Sequence, residues 1–273
     1  PTVCRMLLNE LLARSLEYDH TYAVCRCQAE DTSLRYALEQ LGFVPVSGQE
    51  DIYYVDMRSP VMLLQDVLLQ IKKPHHDSNA VKAVVRKTRP KLRRAIANLF
   101  PGKLVLCFDS EMLNQALMER VEALNSVQNV PPGVRRLGPY MCVPYGKILS
   151  DEIVPNTVTK SLRVEKCYQA DASSFEVVEY PGYSPLKNQI RTLKSFRRPV
   201  ILVDDLLHKG YRIAKLDRLL KEEDLSTQRL IVAVMSGYGR DLMLVQGRQV
   251  DCEYFIPNLH YWVTESLLYP FLG

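Results

Sequence analysis

No stretch of the chain approaches the roughly 18 uninterrupted apolar residues that a membrane-spanning helix needs, and its start lacks the pattern of a secretory signal. A membrane protein is therefore not expected. The sequence also lacks a Gly-x-Ser-x-Gly elbow and a His-Glu-x-x-His helix, so two common hydrolytic machines have no footing in it. His20, His75 and His76 have no convincing acid or nucleophile neighbours in the sequence. From Ser78 to Phe108 there is no acidic residue at all. No internal repeat and no low-complexity tract appears. The chain has no initiator methionine and runs from Pro1 straight into a helical pattern, as expected of a fragment of something longer or of a processed or engineered start.

The seven cysteines are an odd number, scattered mostly through strand-like apolar runs, which excludes a disulfide scaffold and fits reduced, buried thiols in the cytoplasm. Cys25 and Cys27 would share one face of a strand. No second Cys or His pair stands at zinc-ligand spacing, so no metal site is expected there.

With 273 residues, 47% of them apolar and 24% charged, the chain is a globular one long enough for two domains with their own cores. The formal net charge of +4 is too mild to name a partner. Where acids are missing, Lys82, Arg86, Lys87, Arg89, Lys91, Arg93 and Arg94 crowd together. Such a run either grips nucleic-acid phosphates or forms a solvated helical face that balances acids elsewhere. No stacking aromatics are interleaved, so the second reading is favoured and nucleic acid is not expected as a partner.

Periodicity organises the rest. Leu7, Leu8, Leu11, Leu12 and Leu16 predict an amphipathic helix over 5–17; a short strand follows at 21–27, then a helix from Asp31 stopped by Gly42, then a hairpin around Ser47-Gly48-Gln49. Residues 61–100 read as two helices broken near Lys73–Asp77, the first through Val61, Leu64, Leu68 and Ile71. Beyond a strand at 103–108 and a helix through Leu124, strands and helices alternate: strands at 140–144, 175–178, 200–203, 230–234 and 252–256, helices near 157–165 and at 186–196, 213–220 and 240–245. Alternation of this kind predicts an α/β fold, a parallel sheet with helices on both faces.

The most informative segment is Arg198-Pro-Val-Ile-Leu-Val-Asp-Asp-Leu-Leu-His-Lys-Gly-Tyr-Arg212. Four apolar residues run into Asp204 and Asp205, and Gly210 precedes a helical pattern. It predicts a buried parallel strand ending in a ligand-facing loop, because ligands of open α/β sheets bind beyond the carboxyl ends of the strands. Acids also simply end strands, so the same pair is compatible with an architecture that has lost its ligand. Val143-Pro144-Tyr145-Gly146-Lys147 is a second strand that ends in a glycine turn, either a ligand loop or ordinary punctuation. Ser236-Gly237-Tyr238-Gly239-Arg240 follows a third strand, would open a helix, and would border the same crevice; its spacing is not that of a dinucleotide fingerprint. Aromatics from Phe255 to Trp262 lie beyond the last strand, for base contact or for packing.

The Arg198–Arg212 segment resembles the phosphoribosyl-pyrophosphate (PRPP) signature of the type I phosphoribosyltransferases. The resemblance implies that Asp204 and Asp205 contact the ribose hydroxyls and that Leu206, Leu207, His208, Lys209, Gly210, Tyr211 and Arg212 cradle the 5′-phosphate. It further implies that Tyr145, Gly146 and Lys147 form the pyrophosphate loop and that Mg²⁺ accompanies the pyrophosphate if the protein is catalytic. The loop departs from the family in having Lys209 and Arg212 where threonines stand, His208 and Tyr211 where small residues stand, and only Gly210 kept. Transfer of phosphoribosyl to a nitrogenous base is therefore one implied function. A non-catalytic ligand-binding module, or the C-terminal region of a larger multidomain nucleotidyltransferase or acetyltransferase, is the other. Arg35–Val46 and Tyr54–Arg58 resemble the second half of the GNAT acetyltransferase fold, over about residues 1–58, although Pro1–Cys4 holds no glycine for the acyl-CoA loop. The implied organisation is a partial GNAT-like α+β domain over 1–60, a helical connector over 61–100 and a phosphoribosyltransferase-like domain over 101–273. The implied partner is a phosphorylated ribose or nucleotide; homodimerisation stays open.

Overall fold

A computed structural model describes residues 2–125, 137–150, 152–171, 173–227 and 229–268. In chain order the elements are α1 (Thr2–Ser15), β1 (Tyr22–Arg26), α2 (Thr32–Gln40), β2 (Val44–Val46), β3 (Gln49–Gln65), α3 (Val67–Gln70), α4 (Asn79–Leu99), β4 (Lys103–Asp109) and α5 (Ser110–Leu124). They continue with β5 (Met141–Pro144), β6 (Val158–Thr159), β7 (Val164–Tyr168), β8 (Phe175–Glu179), α6 (Leu186–Ser195), β9 (Val200–Leu207), α7 (Tyr211–Glu222), β10 (Arg229–Ser236), α8 (Gly237–Val245), β11 (Gln249–Ile256) and β12 (Tyr261–Thr264). The chain forms two compact units, 1–112 with 254–273, and 113–253.

The first unit is built on β3. Its first half pairs antiparallel with β1 and β2, and its second half pairs parallel with β4 and β12. Pro60 falls in the irregular stretch between the Asp56 and Val61 rungs of the β4 ladder, where a residue without an N–H costs no rung. The helix predicted through Val61, Leu64 and Leu68 is corrected here: Val61–Gln65 is strand. A short apolar run fits a buried strand as well as a helix, and the parallel partners, β4 and β12, lie far along the sequence. Val61 and Leu63 pack with Ile96, Ala97, Val105 and Cys107, so the amphipathic face of α4 closes this core.

The basic run on α4 is correspondingly divided. Lys82, Arg86, Lys87 and Lys91 lie on its outer side, whereas Arg89 and Arg93 are buried. Arg89 donates to fully buried Glu265 and to Asp109, and Arg94 pairs with Glu39. Acids elsewhere do balance part of the run, but through the interior and not only across a solvated face.

The second unit contains a mixed α/β arrangement around the sheet β11-β10-β9-β5-β6, in which β10, β9, β5 and β6 are parallel neighbours. Buried Leu186, Ile190 and Leu193 of α6, and Ile213, Leu216 and Leu220 of α7, are the apolar stripes that cover it. The helix predicted near 157–165 is also corrected: β6 and β7 occupy that stretch. β7 instead pairs with β8 in a separate antiparallel hairpin.

Candidate functional site

In the second sheet β9 lies between β5 and β10. The chain leaves β5 for β6 on one side and returns to β9 on the other, so the strand order reverses between β5 and β9. At that point of a parallel sheet the loops diverge and leave a crevice beyond the strand ends. Tyr145–Ile148 leave β5 there, and Asp204 and Asp205 lie toward the end of β9, so the two predicted segments are brought together.

Their contact is close. The Asp205 carboxylate accepts the backbone N–H groups of Lys147 at 2.7 Å and Ile148 at 3.0 Å. Tyr145 and Gly146 donate theirs to the Val203 carbonyl. Gly146 is required by space: a Cβ there would lie 2.3 Å from Asp205 Oδ1 and 2.8 Å from the Asp205 nitrogen. The glycine of this turn is therefore more than punctuation, since it lets the loop close onto the acid.

Asp204 is 2% exposed and faces inward. Its Oδ1 accepts from Arg212 Nη1 at 2.8 Å and from the Asp205 N–H at 2.9 Å. Arg212 also donates to the Tyr145 carbonyl, and its guanidinium lies 4.8 Å from the centre of the Tyr145 ring. Arg212, where the signature has threonine, thus turns back from α7 to neutralise Asp204. Burial and then Asp204 push the Asp205 carboxyl up to about 6, against the opposing pull of the Ile148 and Lys147 N–H groups and Arg212. Burial, then Asp204, raise the Tyr145 phenol well above its usual range.

The predicted phosphate cradle is partly filled by its own side chains. Gly210, the residue before α7, has φ +73°, a conformation that favours glycine, and a Cβ there would meet Leu242 Cδ2 at 2.0 Å. Leu207 is buried, Leu206 and His208 are half-buried, and Lys209 and Tyr211 are exposed. The Ser236 hydroxyl donates to the His208 carbonyl and accepts from the Gly239 N–H, and Gly239 lets α8 approach the Leu207 carbonyl. The Ser236–Gly239 turn therefore does border the same loop, and it caps α8, the helix this segment is expected to open. Phe255–Trp262 belongs to a different place: Tyr261 and Trp262 pair with Val61 and Met62 in the first unit.

Sequence reasoning missed Glu165 and Lys166. The hairpin β7–β8 brings both into the electrostatic field of Arg212, and burial followed by Arg212 lowers the Lys166 amine. The alternation Val164, Lys166, Tyr168 was the available strand signal. Lys166 and Lys215 each stand 5.3 Å from the Phe175 ring, and Lys215 pairs with Glu176.

Among the described residues no group of three or more His, Cys, Asp or Glu is placed to hold a metal ion. With Asp204 engaged by Arg212 and Asp205 by two N–H groups, these carboxylates do not fit a protein-held Mg²⁺.

No family model and no curated protein matches the sequence. Solved structures do offer a likeness. The crystal structure of a purine phosphoribosyltransferase from Pyrococcus horikoshii is 16% identical over 56% of this chain and 80% of that chain, with a TM-score of 0.26. So slight a superposition assigns no fold, and the chemistry rests on the residues above. No helix among the described residues is long and apolar enough to cross a membrane.

Proposed function

We propose that the second unit binds a phosphorylated ribose at the carboxyl ends of β5 and β9, as a phosphoribosyltransferase-like module that does not turn PRPP over. The observation that supports the reading is the convergence of Asp204–Asp205 with the Tyr145–Ile148 turn at the reversal of strand order. Exposed Lys147, Lys209 and Tyr211 stand around this edge, and the two lysines supply charge for a phosphate. Against transfer chemistry stand the pairing of Asp204 with Arg212 and the engagement of Asp205 by the turn, which leave the acids ordering the loop. The GNAT-like reading of residues 1–58 belongs to the same proposal: α1, β1, α2, β2 and β3 follow the expected order.

Calorimetry of the full chain with ribose 5-phosphate, and with PRPP and Mg²⁺, tests this. Binding of both without pyrophosphate release across a panel of bases is expected. Pyrophosphate release would restore the transferase reading, and no heat at millimolar ligand would remove the ribose-phosphate assignment altogether.

A further inference from the structure

The first unit buries three arginines beside two acids, and only one of the three, Arg89, is paired directly with them; Asp109 and Glu265 act on Arg5 and Arg93 only from a distance. β4, β3 and β12 are parallel, with β3 between the other two, so their carboxyl ends bring Gln65, Cys107, Asp109 and Glu265 to one edge of the sheet. α1 and α4 add three arginines there: Arg5 is 7% exposed, Arg89 9% and Arg93 8%. Arg5 and Arg93 each lie within electrostatic reach of Arg89 and of the Cys107 thiol.

Arg89 is fully answered by Glu265 and Asp109. Among the described residues Arg93 meets only neutral groups, Gln65 Oε1 at 2.9 Å, Gln40 Oε1 at 3.4 Å and the Cys107 thiol, and its Nε has no acceptor. Arg5 makes no hydrogen bond or ion pair with any described residue, and its Nε and Nη1 are buried. Gln65 Nε2 is a further buried donor without an acceptor among the described residues. Cys107 does not supply the missing charge, because burial raises its thiol and keeps it neutral. Burial lowers Arg5, and takes Arg93 down to about 10, which still leaves Arg93 charged at neutral pH; a guanidinium such as that of Arg5 is not deprotonated in proteins. Buried guanidinium groups persist when an anion and hydrogen-bond acceptors meet them. The unmet groups here are all donors, a set that an oxyanion satisfies and that a cation or an apolar ligand does not.

We propose that the first unit binds the oxyanion end of a small phosphomonoester or carboxylic acid at this edge, gripped by Arg5 and Arg93 with Gln65 as a neutral donor. The site is separate from the ribose-phosphate reading, and neither depends on the other.

The test is the melting temperature of the full chain in sodium phosphate, acetate and chloride at matched ionic strength. A saturable rise in phosphate or in acetate, absent in chloride, is expected, because a ligand bound only by the folded state stabilises it. The anion with the stronger effect distinguishes a phosphate from a carboxylate ligand. Arg5→Met and Arg93→Met are each expected to weaken that response by about 10-fold or more. Arg5→Met should melt in chloride no lower than wild type, since it removes a charge that is not directly paired. The requirement for Arg5 separates this site from any phosphate held in the second unit, where Asp205→Asn serves as the control. Equal responses in the three salts, or an undiminished phosphate and acetate response in both arginine variants, would overturn the proposal. Should Arg5→Met fail to fold, that loss itself counts against an unpaired Arg5, and Arg93→Met decides whether the response survives.

Discussion

Asp205 and Lys147, 58 positions apart in the sequence, are joined by a 2.7 Å hydrogen bond from the lysine's backbone N–H to the aspartate's carboxylate. The acid therefore works first on its own protein. It fixes the turn after β5, and Gly146 is the residue whose lack of a side chain permits the approach.

Gly146→Ala should destabilise the second unit by about 1–3 kcal/mol, because the added methyl collides with both the carboxylate and the backbone of Asp205. Denaturant titration with hydrogen exchange in 141–148 would register it. Unchanged protection there would show that the turn does not depend on the contact.

Arg212→Met should strand the Asp204 carboxylate, which is 3% exposed at its side chain, and cost about 3–5 kcal/mol. Exchange in 200–207 should rise accordingly. If stability holds and ribose 5-phosphate affinity collapses, Arg212 acts on a ligand instead and the internal assignment fails.

Asp205 gives the unit a pH signature. Its carboxyl sits at about 6 in the folded state, above the ordinary value near 4. Folding thus favours the protonated acid: its contribution is complete below about pH 4 and is lost as pH rises through about 6. Unfolding free energy should fall over that window more steeply in wild type than in Asp205→Asn. Parallel pH profiles of the two proteins would refute the assignment.

Glu265→Gln should weaken the first unit by about 3–5 kcal/mol, since Glu265 is fully buried and accepts from both Arg89 and the Val67 N–H. A double substitution, Arg89→Met with Glu265→Leu, should recover a large part of that loss. Chemical denaturation of the three variants measures the coupling.

The β9 strand, its acidic end and the helix after it were legible because an apolar run, a turn glycine and a helical pattern are local signals. The Ser236–Arg240 segment was legible for the same reason, as the opening of a helix, although the cap made by Ser236 itself was not read. The fate of the acids was not. Nothing near Asp205 announces that the amides it caps belong to Lys147 and Ile148, or that Arg212, in the place of a signature threonine, pairs with Asp204. The mistaken helices over 61–71 and 157–165 have a similar origin: a few apolar residues take strand form only once their partner strands arrive from elsewhere in the chain. The same distance hid Arg89 and Arg93, whose acidic or amide partners lie up to 176 positions away.

The division of the chain has a kinetic side. β12, which completes the parallel half of β3, is separated from it by the whole of residues 113–253. While that insert is folded, its ends are held at a fixed separation and β12 is delivered to β3 as if by a short tether. When the insert unfolds, the same strand hangs on a long loose loop, and each doubling of effective loop length adds about 0.6 kcal/mol to the entropy of closing it. Damage to the Asp205 turn therefore reaches Glu265 and its arginine through chain connectivity alone.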